Sequence, residues 1–120
     1  MDWLLLVTAL IQVESGGNNA AIGDGGKSYG CLQIQQCVID DVNEIYGTHY
    51  KHKQALEREY SVWICKLYLS YYGKIYTKRT GKQPTYEILA RIWNGGPHGY
   101  KKSATYKYWL KVKEEIEDRR

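Results

Sequence analysis

Apolar positions crowd the start of the chain: from Trp3 to Val13 only Thr8 and Gln12 are polar. That run predicts a helix from Trp3 to about Glu14, apolar nearly all round and therefore central. Asp2 caps its start and Gly16-Gly17 closes it. The segment from Asn18 to Ile34 is rich in glycine and turn formers, and its Asp24-Gly25 pair predicts a hairpin between two short extended segments. Helical spacing returns at Val38, Val42, Ile45 and Tyr46, ended by Gly47. A longer helix follows, with Leu56, Tyr60, Trp63, Ile64, Leu67 and Tyr71 on one face, and it is expected to stop at Gly73. Lys74 to Pro84 then reads as a basic loop. A short helix from about Tyr86 to Trp93 ends at the breaker run Asn94-Gly95-Gly96-Pro97. The last helix starts near Thr105 and turns Tyr106, Trp109, Leu110 and Ile116 inward. Its final turn is expected to fray, because Glu114, Glu115, Glu117 and Asp118 sit at the negative end of the helix dipole. With no repeat, low-complexity segment or linker, residues 1–120 read as a single domain. Its class is α+β, mostly α-helical, with a short β-hairpin.

The composition, 43% hydrophobic and 25% charged over 120 residues, is that of a soluble globular domain with one core. Four Trp and 12 Tyr without a single Phe favour surfaces that meet half-polar ligands such as sugars. A net charge of +4 favours anionic partners, among them a bacterial wall, a membrane surface or nucleic acid. No nucleic-acid motif is present, and the basic clusters (Lys51–Lys53 around His52, Lys78–Arg79, Lys101–Lys102) read as a solvated face. The apolar N-terminal run is too short to cross a bilayer, and stable membrane insertion is not expected. It lacks a basic leader and a cleavage site, so it reads as a helix of the domain, and any export signal is expected outside these residues. Cys31, Cys37 and Cys65 match no zinc spacing, and no metal or other cofactor is expected. One disulfide plus a thiol, or three buried thiols, are both open. The odd count favours three thiols.

Glu14 ends the apolar helix and is followed by Ser15-Gly16-Gly17-Asn18, where the chain must turn away. Burial and the helix's negative pole are both expected to raise its pKa, as a general acid requires. Taken alone, it reads rather as a solvated residue of a last helical turn. Asp24, on the hairpin, is an exposed carboxylate among glycines, and glycosidic bonds are commonly cleaved between one protonated and one ionised carboxyl group. Asp-Gly is also ordinary turn chemistry, and these residues by themselves leave the choice open.

Three segments in order carry a family resemblance: Glu14-Ser15-Gly16-Gly17-Asn18, Tyr29-Gly30-Cys31-Leu32-Gln33-Ile34, and Asn94-Gly95-Gly96. Together they resemble the signatures of the lysozyme-like superfamily shared by lytic transglycosylases and goose-type lysozymes. Val13-Glu14-Ser15-Gly16, Gly30-x-x-Gln33-Ile34, and Ala90-Arg91-Ile92-Trp93-Asn94-Gly95-Gly96-Pro97 with Tyr108-Trp109 are similar to invertebrate-type (destabilase) lysozymes. The resemblance spans essentially the whole chain. It implies a lysozyme-like fold with the hairpin beside an active-site cleft, Glu14 as general acid and Asp24 as second carboxylate. Tyr29, Gln33, Trp93, Asn94 and Gly95 would meet the saccharide, although Trp93 also reads as core and Asn94 as a helix cap.

The implied activity is hydrolysis of the β-1,4 bonds between N-acetylmuramic acid and N-acetylglucosamine. The partner would be bacterial peptidoglycan or an N-acetylglucosamine oligosaccharide, and the protein a secreted or otherwise extracytoplasmic monomer. Two alternatives stand beside it: a lytic transglycosylase using Glu14 alone to form 1,6-anhydro ends, and a wall-binding module with a decayed site. The chain departs from the family in its low cysteine count and in Trp93, where a His is usual. It also carries Lys27 and Gln35 where relatives that cleave isopeptide bonds carry Ser and Lys, so isopeptide cleavage is not expected.

Overall fold

The computed structural model describes residues 1–120 and contains five α-helices and one two-stranded sheet. The helices are α1 (Trp3–Ser15), α2 (Gln36–Tyr46), α3 (Arg58–Thr80), α4 (Tyr86–Gly95) and α5 (Tyr106–Arg119). Strands β1 (Ile22–Gly23) and β2 (Ser28–Tyr29) pair antiparallel, Ile22 opposite Tyr29 and Gly23 opposite Ser28. A tight 3-10 turn at Asp24–Gly26 joins them, as the Asp24-Gly25 pair predicts. The chain forms two compact units: Met1–Val13 with Leu69–Arg120, and Glu14–Tyr68.

In the first unit, the Asp2 carboxylate accepts the Leu5 N–H at 3.0 Å, so α1 begins at its expected cap. Leu6, Val7, Ala9, Leu10 and Ile11 are buried, but Leu4 is 79% exposed, so α1 is not sheathed all round. Thr85 caps α4 by accepting the Ile88 N–H at 3.2 Å. Arg91 ties α4 to the segment before α5. Its guanidinium bonds Thr105 Oγ1 and the Lys102 carbonyl, each at 2.9 Å, and pairs with Glu87 at 2.8 Å. Gly99 packs directly on the Arg91 carbonyl, where no Cβ would fit.

Three further expectations for this unit are corrected. Gly73 does not end α3, which runs on to Thr80. Gly73 is buried with helical neighbours, and a Cβ there would only touch Leu89 and Pro84 at 3.4 Å, so it serves close packing rather than termination. The stop comes at Gly81, in the left-handed region at φ 74°, whose N–H closes on the Thr77 carbonyl. In α5 the buried residues are Val112 and Ile116, whereas Tyr106 and Leu110 are 49% and 45% exposed. The final turn of α5 stays helical, because Arg119 bonds both the carbonyl and the carboxylate of Glu115 at 3.0 Å.

The second unit holds the hairpin, α2 and the first part of α3. Gly47 closes α2 in the left-handed conformation (φ 67°), as expected, while the helix buries Ile39 and Val42 and leaves Tyr46 exposed. The buried face of α3 is also displaced from the expected one. Ser61, Ile64, Cys65 and Tyr68 are buried, Trp63 and Tyr60 are exposed, and Leu56 belongs to the preceding 3-10 turn. All three cysteines are thiols; Cys31 and Cys65 are buried and Cys37, contrary to expectation, is exposed.

Candidate functional site

Glu14 lies half-buried in the last turn of α1, and Ser15 fixes where that turn ends. The Ser15 hydroxyl accepts the N–H groups of Gly17 and Asn18 at 3.2 and 3.1 Å and donates to the Cys31 carbonyl at 2.9 Å. One side chain thus fixes the turn that leaves the helix and ties it to the segment after β2. Gly16 and Gly17 take positive φ and lead the chain away. The Glu14 carboxylate is near enough to Cys65 to add to the effect of burial in pushing that thiol's pKa well up.

Asp24 stands exposed at the start of the hairpin turn, and its carboxylate accepts the Gln35 side-chain N–H at 3.1 Å. It sits at φ 52°, as does Gln33, and these are the only non-glycine residues with positive φ. Left-handed backbone at side-chain-bearing residues is strained and tends to concentrate at functional positions. Gln33 is locked from several directions. Its amide nitrogen donates to the carbonyls of Gly30 (3.0 Å) and Ala21 (3.3 Å), and its amide oxygen lies where a Cβ on Gly23 would stand.

The Gly30-x-x-Gln33-Ile34 segment is therefore architectural in part. Gly30, at φ 83°, lies against the Ala55 carbonyl so closely that no Cβ could be admitted. That carbonyl accepts the buried Ser61 hydroxyl at 2.6 Å. Tyr29 and Ile34 exchange backbone hydrogen bonds at 3.0 and 2.9 Å and close the loop between them.

The residue that sequence reasoning missed is His52, noticed only as the middle of a basic cluster. Its ring stacks on Tyr29 with centroids 3.8 Å apart and planes 9° from parallel. Its Nε2 lies 2.6 Å from the Ile34 carbonyl, which can only accept, so that nitrogen carries a proton. No local pattern marks such a residue, because its partners come from the hairpin far earlier in the chain. Around Asp24 opens a depression of about 550 Å3 lined by Gly26, Lys27, Gln35, Gln36, Cys37 and His52.

Glu14, Asp24, Tyr29 and Gln33 all belong to the second unit, and Trp93, Asn94 and Gly95 to the first. Trp93 is only 9% exposed and counts among the core residues, while Asn94 is exposed. The bare Gly95 makes room for Thr105, whose methyl would lie 2.6 Å from a Cβ there. The helix continues through Asn94 to Gly95, and Gly96 (φ 86°) closes it on the Ile92 carbonyl.

The chain is 31% identical over 108 residues to a lysozyme of Meretrix lusoria, covering 88% of this chain and 84% of that protein. It belongs to the lysozyme family. The fold is also similar to that of a chain in the crystal structure of Aeromonas hydrophila PliI in complex with Meretrix lusoria lysozyme. The TM-score is 0.69 at 28% identity, over 92% of this chain and 87% of that one. No protein-family model matches the chain. The helical architecture with its small antiparallel sheet is a lysozyme-like α+β fold.

Proposed function

We propose that the chain is a muramidase of the invertebrate type, which hydrolyses the β-1,4 bonds of peptidoglycan between N-acetylmuramic acid and N-acetylglucosamine. The observation that carries this reading is a lysozyme-family chain with Glu14 at the end of α1 and Asp24 held in a strained turn of the same compact unit. In this reading protonated Glu14 gives its proton to the glycosidic oxygen as the C1–O bond breaks and the electron pair leaves with that oxygen. The Asp24 carboxylate, oriented by Gln35, stabilises the positive charge that develops on the sugar, and water completes the hydrolysis. Gln33 serves as a brace for the hairpin, and Asn94, Gly95 and the exposed sliver of Trp93 are proposed sugar contacts. The chain would act as a monomer outside the cytoplasm, where its substrate is.

Mass spectrometry of fragments released from purified peptidoglycan tests this directly. Reducing ends are expected, whereas anhydro ends would identify a transglycosylase. Glu14→Gln should lower cleavage by at least about a hundredfold, the low end for general-acid catalysis, without unfolding the protein. Asp24→Asn should abolish most turnover if the second carboxylate is needed for hydrolysis, and a transglycosylase would tolerate it.

The solved relative is part of a complex of two named proteins, which supports a second reading in which this chain binds a protein partner. Absence of any cleavage by the wild-type protein would favour that reading.

A further inference from the structure

We propose that the depression beside Asp24 receives the acidic peptide stem of peptidoglycan, with Lys27 pairing a stem carboxylate. This rests on the glycan-cleaving reading and adds a specificity to it: a preference for peptide-bearing glycan over bare strands or chitin, which carry no stem.

The lining is of the wrong kind for a sugar ring and the right kind for a peptide. A pyranose needs a flat apolar face, and neither Tyr nor Trp lines the depression; Tyr29, which His52 stacks on, is not part of the lining. What the depression offers instead is a cation, an imidazole, two side-chain amides and a thiol. Several of these groups are held in place. Gln35 is bonded to Asp24, the Gln36 amide nitrogen to Asp40 at 2.9 Å, and the His52 ring to the Ile34 carbonyl. Lys27 stands apart from them. Its backbone N–H is fixed on the carbonyls of Gly23 and Asp24 at 3.1 and 3.2 Å, so its position relative to Asp24 is set. Its ammonium takes part in neither ion pair of the structure, Arg91–Glu87 or Arg119–Glu115.

A muramic acid whose anomeric carbon faces Asp24 carries its stem on the lactyl group of the same ring. The stem must therefore leave the glycan close to this depression. Repulsion by Asp24 turns an incoming carboxylate away from the catalytic side and towards Lys27, the one lysine of the lining. About 550 Å3 lies within the range of small-ligand sites and is room for a few peptide residues.

Two measurements test the inference independently. In the first, the Glu14→Gln protein is titrated with a free synthetic stem tetrapeptide and followed by NMR. Shifts confined to residues 24–37 and the His52 ring, and lost in the Glu14→Gln, Lys27→Ala protein, are expected. No binding, or shifts elsewhere, would overturn the proposal. In the second, kcat/KM is compared on peptide-bearing strands and on N-acetylglucosamine oligomers, which carry neither a stem nor a lactyl carboxylate. The preference for the former should shrink about fivefold in Lys27→Ala, the upper end for an exposed ion pair, and survive in Lys27→Arg. An unchanged ratio would also overturn it. If the wild-type protein cleaves neither substrate, the glycan-cleaving reading fails, and the peptide titration still decides whether the stem binds.

Discussion

Gly30 shows how a single residue position can hold a site. Two constraints coincide there, a left-handed backbone and the Ala55 carbonyl in the place of a Cβ. Gly25 has the first constraint without the second, since nothing lies near its missing Cβ. Gly30→Ala should therefore cost about 2–5 kcal/mol, the sum of backbone strain and overpacking. Gly25→Ala should cost only about 1–2 kcal/mol, the left-handed penalty alone. Urea midpoints of the two variants check this, and equal losses would mean that the loop yields at Ala55. Sequence patterns single out Glu14, Asp24 and Gln33 as candidates, because their types and neighbours carry chemistry or resemblance. They miss the part that Gln33 plays as a brace, and they miss His52 and the packing use of Gly95. Those depend on which backbone atoms arrive from elsewhere, which no local pattern encodes.

At the scale of elements, the reading succeeds where capping and turn chemistry decide and fails where packing decides. Asp2, the Asp24-Gly25 turn, Gly47 and the start of α4 all fall where they are expected. The end of α3 does not, because a glycine at Gly73 signals either termination or close packing, and only the neighbours Leu89 and Pro84 distinguish the two. The inward faces of α3 and α5 shift for a related reason. Tyr and Trp count as apolar in a periodic pattern but can also stand half in water.

The same contrast between local type and packing governs the three thiols. Burial raises the pKa of Cys31 and of Cys65, keeping both protonated near neutral pH, and the Glu14 carboxylate, whenever it is ionised, raises Cys65 further. Cys37, in the first turn of α2, is exposed. Alkylation by iodoacetamide at pH 8 should label Cys37 in the native protein, with Cys31 and Cys65 reacting only after denaturant is added. Rapid labelling of all three without denaturant would contradict the packing around Cys31 and Cys65.

For the molecule as a whole, the question is whether the two compact units unfold as one. No disulfide restrains the chain, so stability rests on buried apolar residues and on helices. The division between units falls inside α1, after Val13, and inside α3, after Tyr68, and both helices continue through it unbroken. Helix formation is cooperative, because a new end leaves four backbone groups unsatisfied and a new nucleus is costly. Melting one unit alone would create such ends in two helices at once. We therefore expect one transition, as is usual for chains below about 150 residues. The probes for this are already separated between the units. Trp3, Trp93 and Trp109 belong to the first unit and Trp63 and Cys37 to the second. In a Trp63→Phe protein labelled at Cys37, indole fluorescence follows the first unit and the label follows the second. Coincident denaturation curves, with calorimetric and van't Hoff enthalpies in agreement, would establish a single cooperative domain over residues 1–120. A label transition that precedes the indole transition would show instead that the unit carrying Glu14 and Asp24 opens first.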